Sequence, residues 1–160
     1  MADHWYERRA TGEQHERYVK GQLELYGWTV HPCGQGTYPA AIQNALRHTE
    51  SAFRQFPDMI AARGHDIVAI DAKTRLESTG TDRYAVSRKR LLAGLQLLGT
   101  MAPLRLFYVF GDLRVLTPAE VMAYSCHASL HPSGSYYLVS TRLAHQFDEV
   151  FGTPAALRSA

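Results

Sequence analysis

The most constraining feature of this sequence is the stretch 56–75, FPDMIAARGHDIVAIDAKTR. It predicts two short β-strands, because its second half is rich in Ile and Val and because Pro57 lies where a strand tolerates proline. Gly64-His65 suits a two-residue hairpin turn, since glycine adopts the positive φ that such a turn requires. Counting outward from this turn places Asp58 directly opposite Asp71, on the same face of the sheet.

We expect a cation to bind between these opposed aspartates. Two carboxylates that face each other across a strand pair repel and destabilise the sheet. A protein that retains them is expected to hold a cation between them, and hard oxygen ligands suit Mg²⁺, with Mn²⁺ as a substitute. Because strand side chains alternate, Lys73 projects from the same face as Asp71. The alternative is a solvent-facing hairpin with ordinary surface charges.

Composition predicts an ordinary soluble globular protein of one domain, since the chain has 160 residues and a net charge of +2. No apolar run approaches a membrane span and no secretory signal opens the chain. The two cysteines, Cys33 and Cys126, imply no disulfide framework, so the cytoplasm is the expected compartment. Together with His31 and His127 they lack the spacing of a zinc finger. The mild charge means that nucleic-acid binding would depend on a local basic patch.

A first helix is predicted from about Gly12 to Tyr26, with Thr11 as its N-cap and Gly27 as its stop. The apolar stripe of this helix consists of Val19, Leu23 and Tyr26. Glu16 lies at the edge of that stripe, so its carboxylate needs a partner or a metal. The alternative is that Glu16 is a surface residue paired with Lys20.

The remaining elements follow from apolar spacing and from glycine and proline positions. Strands are predicted at Trp28–Cys33, Leu104–Phe110, Leu113–Leu116 and Tyr136–Val139, and helices at Ala40–Phe53, from Ser87 onward, from Thr117 or Pro118 to Ala123, and at Thr141–Phe151. Polar loops are predicted at Arg75–Arg83 and Ser125–Ser135. The helix after Ser87 begins with three cations, the wrong sign for a helix N-terminus. They fit a docked phosphate or, alternatively, a solvated basic turn.

The order of the acidic and basic residues resembles the PD-(D/E)XK nuclease superfamily. Glu16 on a first helix, then Pro57-Asp58, then Asp71-Ala72-Lys73 match its motifs in order. Within that superfamily the chain is most similar to Holliday junction resolvases of the archaeal type. Further matches are Gly12 followed by Glu16-Arg17, Gly27-Trp28 where the first strand begins, and Tyr84-Ala85-Val86-Ser87-Arg88 at the entry to the second helix. The chain departs from the resolvases in the Ala40–Phe53 insert and in Asp71, where they usually have Glu.

The resemblance implies a restriction-endonuclease-like α/β fold, an αβββαβ core with a central mixed sheet flanked by helices. Residues 1–160 would form one nuclease domain, with its core at about 12–117 and a helix-strand-helix extension at about 118–151. It also implies a site. The expected catalytic residues are Glu16, Asp58, Asp71 and Lys73, and the expected metal ligands are Asp58, Asp71 and Glu16, with the Ala72 carbonyl as a further candidate. Lys73 would act electrostatically, because neighbouring carboxylates favour its charged form.

The expected function is metal-dependent cleavage of DNA at four-way junctions in recombination or repair. The alternatives are a repair or restriction-type endonuclease, or a non-catalytic DNA-binding protein with the same fold. The expected DNA-binding residues are Arg17, Lys20, Arg75, Arg83, Arg88, Lys89 and Arg90, with Arg8 and Arg9 flanking the same channel. A homodimer is expected, with an apolar interface formed by the second helix and the strands around Leu104–Leu116.

Overall fold

The computed structural model of the chain describes residues 3–49, 52–73, 82–101, 103–131 and 134–153. The helices are α1 (Asp3–Leu25), α2 (Ala40–Arg47), α3 (Arg88–Thr100), α4 (Pro118–Tyr124) and α5 (Phe147–Phe151). The strands are β1 (Thr29–Pro32), β2 (Met59–Arg63), β3 (Asp66–Lys73), β4 (Arg83–Ser87), β5 (Arg105–Phe110), β6 (Val115–Leu116), β7 (His127–His131) and β8 (Gly134–Ser140). Short 3-10 helices lie at Gln35–Thr37, Ala52–Gln55 and Thr141–Leu143.

The main sheet has the strand order β1-β2-β3-β5-β6. Strands β1, β2 and β3 are antiparallel neighbours, whereas β3 and β5 are parallel. A parallel pair requires a crossover connection, and α3 is the helix on that connection. The series α1, β1, β2, β3, α3, β5 therefore confirms the predicted αβββαβ core with a mixed central sheet.

The central hairpin has the register predicted from its turn. Arg63 pairs with Asp66 and Met59 pairs with Ile70, so the next position outward sets Asp58 against Asp71. Gly64 has a φ of 61°, the left-handed conformation expected of a two-residue hairpin turn. The turn thus fixes which acidic residues meet at the far end of the strand pair.

The core lies on both faces of the main sheet. One side packs α1 and α5 against the sheet through the buried residues Val19, Leu23, Trp28, Phe147 and Phe151. The other side packs α3, α4 and the second sheet through Tyr84, Leu91, Leu106, Tyr108 and Val121. Phe107 packs on the first side and Tyr108 on the second, as strand alternation predicts.

A second sheet, of order β4-β8-β7, was not predicted. The prediction of a loop at Ser125–Ser135 is wrong, because β7 pairs antiparallel with β8 there. Gly134, with a φ of 126°, begins β8 rather than continuing a loop. Arg83 begins β4 instead of ending a loop, while residues 74–81, including Arg75, lie outside the described residues. The predicted strand at Tyr136–Val139 lies within β8.

Several predicted helix boundaries are wrong. Helix α1 begins at Asp3, so Thr11 is a helical residue and not an N-cap, because the residues before it also favour helix. Gly27 ends the helix as predicted, with a φ of 81°. The Ala40–Phe53 helix is interrupted after Arg47 and resumes only as a 3-10 helix. The closing helix is reduced to Phe147–Phe151, because His145 forms a bridge with Val115.

The predicted dimer surface is also corrected. Strands β5 and β6 are largely buried within one chain, so they offer little surface to a second copy. Of the predicted surface, α3 presents an apolar side chain, Leu92, which is 46% exposed. None of the described helices combines the length and the apolar character needed to span a membrane.

Candidate active site

Asp58 and Asp71 meet where the β2–β3 pair ends. The Asp58 carboxylate accepts a hydrogen bond from the Ala72 N–H at 2.8 Å, which holds it against the neighbouring strand. The Asp58 carbonyl accepts from the N–H groups of Cys33 and Gly34 at 2.8 and 3.0 Å, so its backbone is fixed by the end of β1. Asp71 is the single charged residue among the buried residues that the structure describes.

Two cations approach Asp71 from different elements. The Lys73 ammonium, two residues along β3, lies 2.9 Å from one carboxylate oxygen. The Arg90 guanidinium, in the first turn of α3, lies 3.6 Å from the other oxygen and keeps half of its side chain exposed. The Lys73 ammonium also lies over the Tyr108 ring, 4.5 Å from its centroid. Asp71 and the face of an aromatic ring therefore fix the position of Lys73.

The two aspartates differ in electrostatic environment. Burial and the charges of Asp71 and Glu16 raise the pKa of Asp58 to about 8. Burial alone would raise the pKa of Asp71, but the cations Lys73 and Arg90 outweigh it and lower that pKa. The pair therefore carries one firm negative charge and one carboxyl that binds a proton readily, the pattern of two carboxylates forced together.

Two buried oxygen atoms in this cluster have no hydrogen bond within the described residues: one Asp71 oxygen and the Tyr108 hydroxyl. Burial is the main reason why the pKa of Tyr108 is raised. A buried oxygen without a partner is costly, so such atoms indicate strain kept for function or a ligand. The Asp71 oxygen is the more informative of the two, since it carries charge and belongs to a residue that lines the cleft.

Gly34 lies against Asp58 at the end of β1. A Cβ atom at position 34 would be 3.1 Å from the Asp58 Cα and 3.3 Å from one of its carboxylate oxygens. Any side chain there would have to displace Asp58, so glycine keeps the acidic pair in register.

Glu16 faces the cleft from α1. It is half-buried, and its pKa is raised by burial and by the charges of Glu13 and Asp71. The alternative pairing with Lys20 does not form, because Lys20 contacts Glu24 at 2.8 Å instead. Glu13 is exposed, as the helical phase predicts.

The cleft has two lobes, each of about 370 Å³. The carboxylate lobe is lined by Asp58, Asp71, Lys73 and parts of β4 and β8. The side lobe is lined by α1, by Gln35–Thr37, and by Arg54 and Phe56. Glu16, Asp58 and Arg90 line both lobes, so the two spaces meet at the carboxylates.

The predicted DNA-binding residues are placed unevenly. Arg17 and Lys20 line the side lobe and Arg90 lines both lobes. Arg88 and Lys89 are exposed at the start of α3. Arg83 lies at the start of β4, outside both lobes, and Arg75 and the side chains of Arg8 and Arg9 lie outside the described set. Ser87 occupies the N-cap position of α3, but its hydroxyl makes no capping bond.

The donor set is compatible with a divalent cation but incomplete. Within the described residues, no three His, Cys, Asp or Glu side chains gather closely enough to form a protein-only metal site. Mg²⁺ typically binds one or two protein carboxylates together with waters and substrate phosphates. Opposed Asp58 and Asp71, with an Asp71 oxygen that accepts no hydrogen bond, fit that mode of binding. Cys33 is less suited, because burial raises the pKa of its thiol to about 11.

Sequence reasoning missed the contributions of Gly34 and Tyr108. Tyr108 is the partner of Asp71 in the parallel β3–β5 register, which no turn fixes in the sequence. Gly34 lies two residues before Gly36 in a short polar segment. From the sequence alone, a glycine needed for close contact with Asp58 looks the same as one in an ordinary turn.

No protein-family model matches the sequence, and none of the curated proteins does. Among solved structures, the chain is similar to Hjc of Archaeoglobus fulgidus, a Holliday junction resolvase from an archaeal hyperthermophile. The two share 15% identity and superpose with a TM-score of 0.53, over 89% of this chain and 97% of that one. A nuclease from a fusselovirus is similar at 12% identity, with a TM-score of 0.53, over 88% of this chain and 89% of that one. The chain therefore has the same fold as these two proteins, in agreement with the fold that its sequence motifs predict.

Proposed function

We propose that this protein is a divalent-metal-dependent DNA endonuclease that cuts four-way junctions. The observation that carries the proposal is the register of the central hairpin, which sets Asp58 against Asp71 at the mouth of a cleft. An arrangement that destabilises the sheet is retained at a point where Lys73 and Arg90 also converge. The fold shared with a resolvase and with a viral nuclease supports the same reading by analogy.

Each side chain has a role in this proposal. Asp58 and Asp71 would hold Mg²⁺, with Glu16 and the Ala72 carbonyl as further oxygen donors. Bound there, the metal would supply Lewis-acid stabilisation of charge on the scissile phosphate. Lys73, held by Asp71 and the Tyr108 ring, places a fixed positive charge at the same point. Arg90 would contact a phosphate oxygen, since its guanidinium reaches the carboxylates while half exposed.

A homodimer is part of the proposal. Resolving a four-way junction requires two symmetric cuts, and a twofold dimer supplies two sites with the symmetry of the junction. Light scattering is expected to give twice the 17.9-kDa mass of one chain at micromolar concentration. A monomer that only nicks the junction would instead favour a repair nuclease.

The decisive experiment compares a four-way junction with a linear duplex of the same sequence, with Mg²⁺ and with EDTA. We expect paired cuts in the junction in Mg²⁺, little cleavage of the duplex, and none in EDTA. Binding to both DNAs should weaken steeply with salt, because each neutralised phosphate releases counterions. Metal-independent cleavage, or no cleavage of any DNA by a protein that binds it, would contradict the proposal.

A further inference from the structure

We propose that the side lobe of the cleft binds one unpaired nucleotide of the DNA, adjacent to the phosphate that is cut. This inference rests on the proposed function and deepens it. It assigns a role to the segments on either side of α2, which contribute Gln35–Thr37, Arg54 and Phe56 to the lobe. It also predicts which DNAs are preferred: those in which a nucleotide next to the cleavage point is not base-paired.

The wall of the side lobe is built by segments before and after α2. The Gln35 side-chain amide donates to the Arg54 carbonyl at 2.5 Å and so ties the first 3-10 helix to the second. The Thr37 hydroxyl donates to the Gly34 carbonyl at 2.7 Å. The Gln43 side-chain amide donates to the Tyr38 carbonyl at 2.8 Å and anchors α2 to the same segment. These bonds fix the wall without a packed core behind it.

Helix α2 buries none of its residues. A helix that buries no residue contributes little to the stability of the fold, since helical stability in proteins comes mostly from tertiary packing. Helix α2 connects the two 3-10 helices along the chain, and none of its own residues lines the lobe.

Part of the lobe lining, which we term its floor, is apolar and includes an aromatic ring. Phe56 is half-buried, and it lines the lobe beside Pro32 and the buried Met59. An accessible aromatic face next to a phosphate site is the usual platform for a nucleobase, because every base stacks on it whatever its sequence. A floor of this kind has no function toward an intact duplex, whose bases are stacked on one another.

The rim of the lobe carries cations. The lobe is lined by four cations, Arg17, Lys20, Arg54 and Arg90, together with the carboxylates Glu13, Glu16 and Asp58, and Arg90 continues into the carboxylate lobe. The Arg17 Nε–H donates to the Glu13 carbonyl, which directs this side chain along α1. Aromatic floor and basic rim together match the two parts of a nucleotide, the base and the phosphate.

The volume of the side lobe and its junction with the carboxylate lobe indicate that it binds a single nucleotide next to the phosphate that is cut. The lobe has a volume of about 370 Å³, near the lower end of the range for pockets that enclose a single small ligand, about 300–1,000 Å³. Because Glu16, Asp58 and Arg90 line both lobes, a nucleotide in the side lobe is contiguous with a phosphate at the acidic pair. Extracting a paired base costs a few kcal/mol, so a nucleotide that is already unpaired is favoured.

The test uses two DNAs that differ at one position. One is a fully paired duplex containing 2-aminopurine, and the other has the 2-aminopurine as a single unpaired bulge. Binding is measured by anisotropy in Ca²⁺ in place of Mg²⁺, and the 2-aminopurine emission is recorded in parallel. We expect wild-type protein to bind the bulged DNA more tightly and to quench its emission by stacking.

Phe56→Leu is expected to reduce the preference for the bulged DNA by about 5- to 100-fold, the range for loss of one stacked base. Its affinity for the paired duplex should not change. Phe56→Tyr retains the ring and should retain the preference, which separates stacking from damage to the fold. Tyr124→Leu, which removes an exposed aromatic residue outside both lobes, is the matched control and should behave as wild type.

The result that overturns the inference is a Phe56→Leu protein with the wild-type ratio of bulged to paired binding. A second arm tests a free nucleotide as the occupant. If deoxyadenosine monophosphate binds with the same Phe56 dependence while the DNA preference is absent, the inference is wrong. Failure of the proposed function has a different readout: wild type would cleave no DNA in Mg²⁺, whatever the binding ratio.

Discussion

Two groups of residues around carboxylates, Glu120 with Thr117 and His145, and Asp58 with Asp71, differ in how their oxygens are hydrogen-bonded. The Glu120 carboxylate accepts hydrogen bonds from the Thr117 N–H at 2.7 Å, the Thr117 hydroxyl at 2.9 Å and the His145 ring at 2.5 Å. Burial alone would raise the pKa of Glu120, but these bonds lower it. The Asp58–Asp71 pair has the reverse pattern, with a raised pKa at Asp58 and an Asp71 oxygen that lacks a hydrogen bond.

The difference separates a carboxylate whose hydrogen bonds stabilise the fold from a carboxylate pair whose arrangement the proposed function would explain. The oxygens of Glu120 accept hydrogen bonds from Thr117 and His145, so the negative charge of this carboxylate lowers the free energy of the folded state. Asp58 and Asp71, in contrast, repel each other, and the surrounding sheet holds them together despite this unfavourable free energy. Carboxylates with perturbed pKa values in a cleft are candidates for function, and those in a capping box are candidates for stability.

The largest expected effect is on cleavage by Asp58→Asn and Asp71→Asn. Each substitution replaces one proposed metal-binding carboxyl group of the opposed pair with an amide, and we expect cleavage of a four-way junction in Mg²⁺ to fall to background. DNA binding should remain within a few-fold of wild type. Glu120→Gln is the matched control, since it alters a partly buried carboxylate of the other cluster and should cut normally. Near-wild-type turnover in either Asp variant would remove the acidic pair from the site.

Lys73→Ala should reduce the cleavage rate by about 10²–10³-fold, the usual cost of removing one preorganised charge donor. The loss is expected in kcat, with KM little changed, because Lys73 is held by Asp71 and Tyr108 rather than free to reach distant DNA. A loss confined to KM would make Lys73 a DNA-binding residue only. Tyr108→Phe, which retains the ring beneath the ammonium, should preserve the rate.

A smaller effect distinguishes Glu16 from Glu13. Glu16 is half-buried and lines both lobes, whereas Glu13 is exposed and lines only the side lobe. Glu16→Gln should lower the cleavage rate by about tenfold or more, toward the 10² typical of a lost preorganised group. Glu13→Gln should leave the rate near wild type. The opposite result would move the acidic site along α1 and away from the Asp58–Asp71 pair.

The sequence predicts the hairpin site well because its register is local. Gly64-His65 specifies a turn, and a turn of known length sets every pair along the two strands, out to Asp58 and Asp71. Glu16 follows from helical phase alone. Neither inference needs contacts between distant segments, and both agree with the structure.

The second sheet was missed for the converse reason. Strand β4 pairs with β8, about fifty residues later in the sequence, and no local signal encodes that pairing. The contact between Tyr108 and Lys73 depends likewise on the parallel register of β3 and β5. The side lobe depends on hydrogen bonds that join Gln35 to Arg54 across the insert. Tertiary contacts of this kind override apolar periodicity.

The smallest expected effect is on stability, and it tests whether the hydrogen-bonded Glu120 carboxylate stabilises the fold. Glu120→Gln should lower the free energy of unfolding at pH 7 by about 1 kcal/mol, the usual worth of a capping interaction. The pKa of Glu120 is lowered in the folded state, so its contribution is present above the unfolded pKa of about 4.3 and is lost as pH falls through the folded value.

Urea denaturation of wild type and Glu120→Gln at pH 7, 5 and 3 measures this difference directly. The two proteins should differ at pH 7 and 5, and the difference should shrink at lower pH as the Glu120 carboxylate becomes protonated. Glu149→Gln is the matched control, because Glu149 completes a capping box on α5 without a histidine partner. It should show a smaller difference. If Glu120→Gln is as stable as wild type at pH 7, or if the difference persists unchanged at pH 3, the charge of Glu120 does not stabilise the fold. The contrast between the two carboxylate clusters would then rest on the aspartate pair alone.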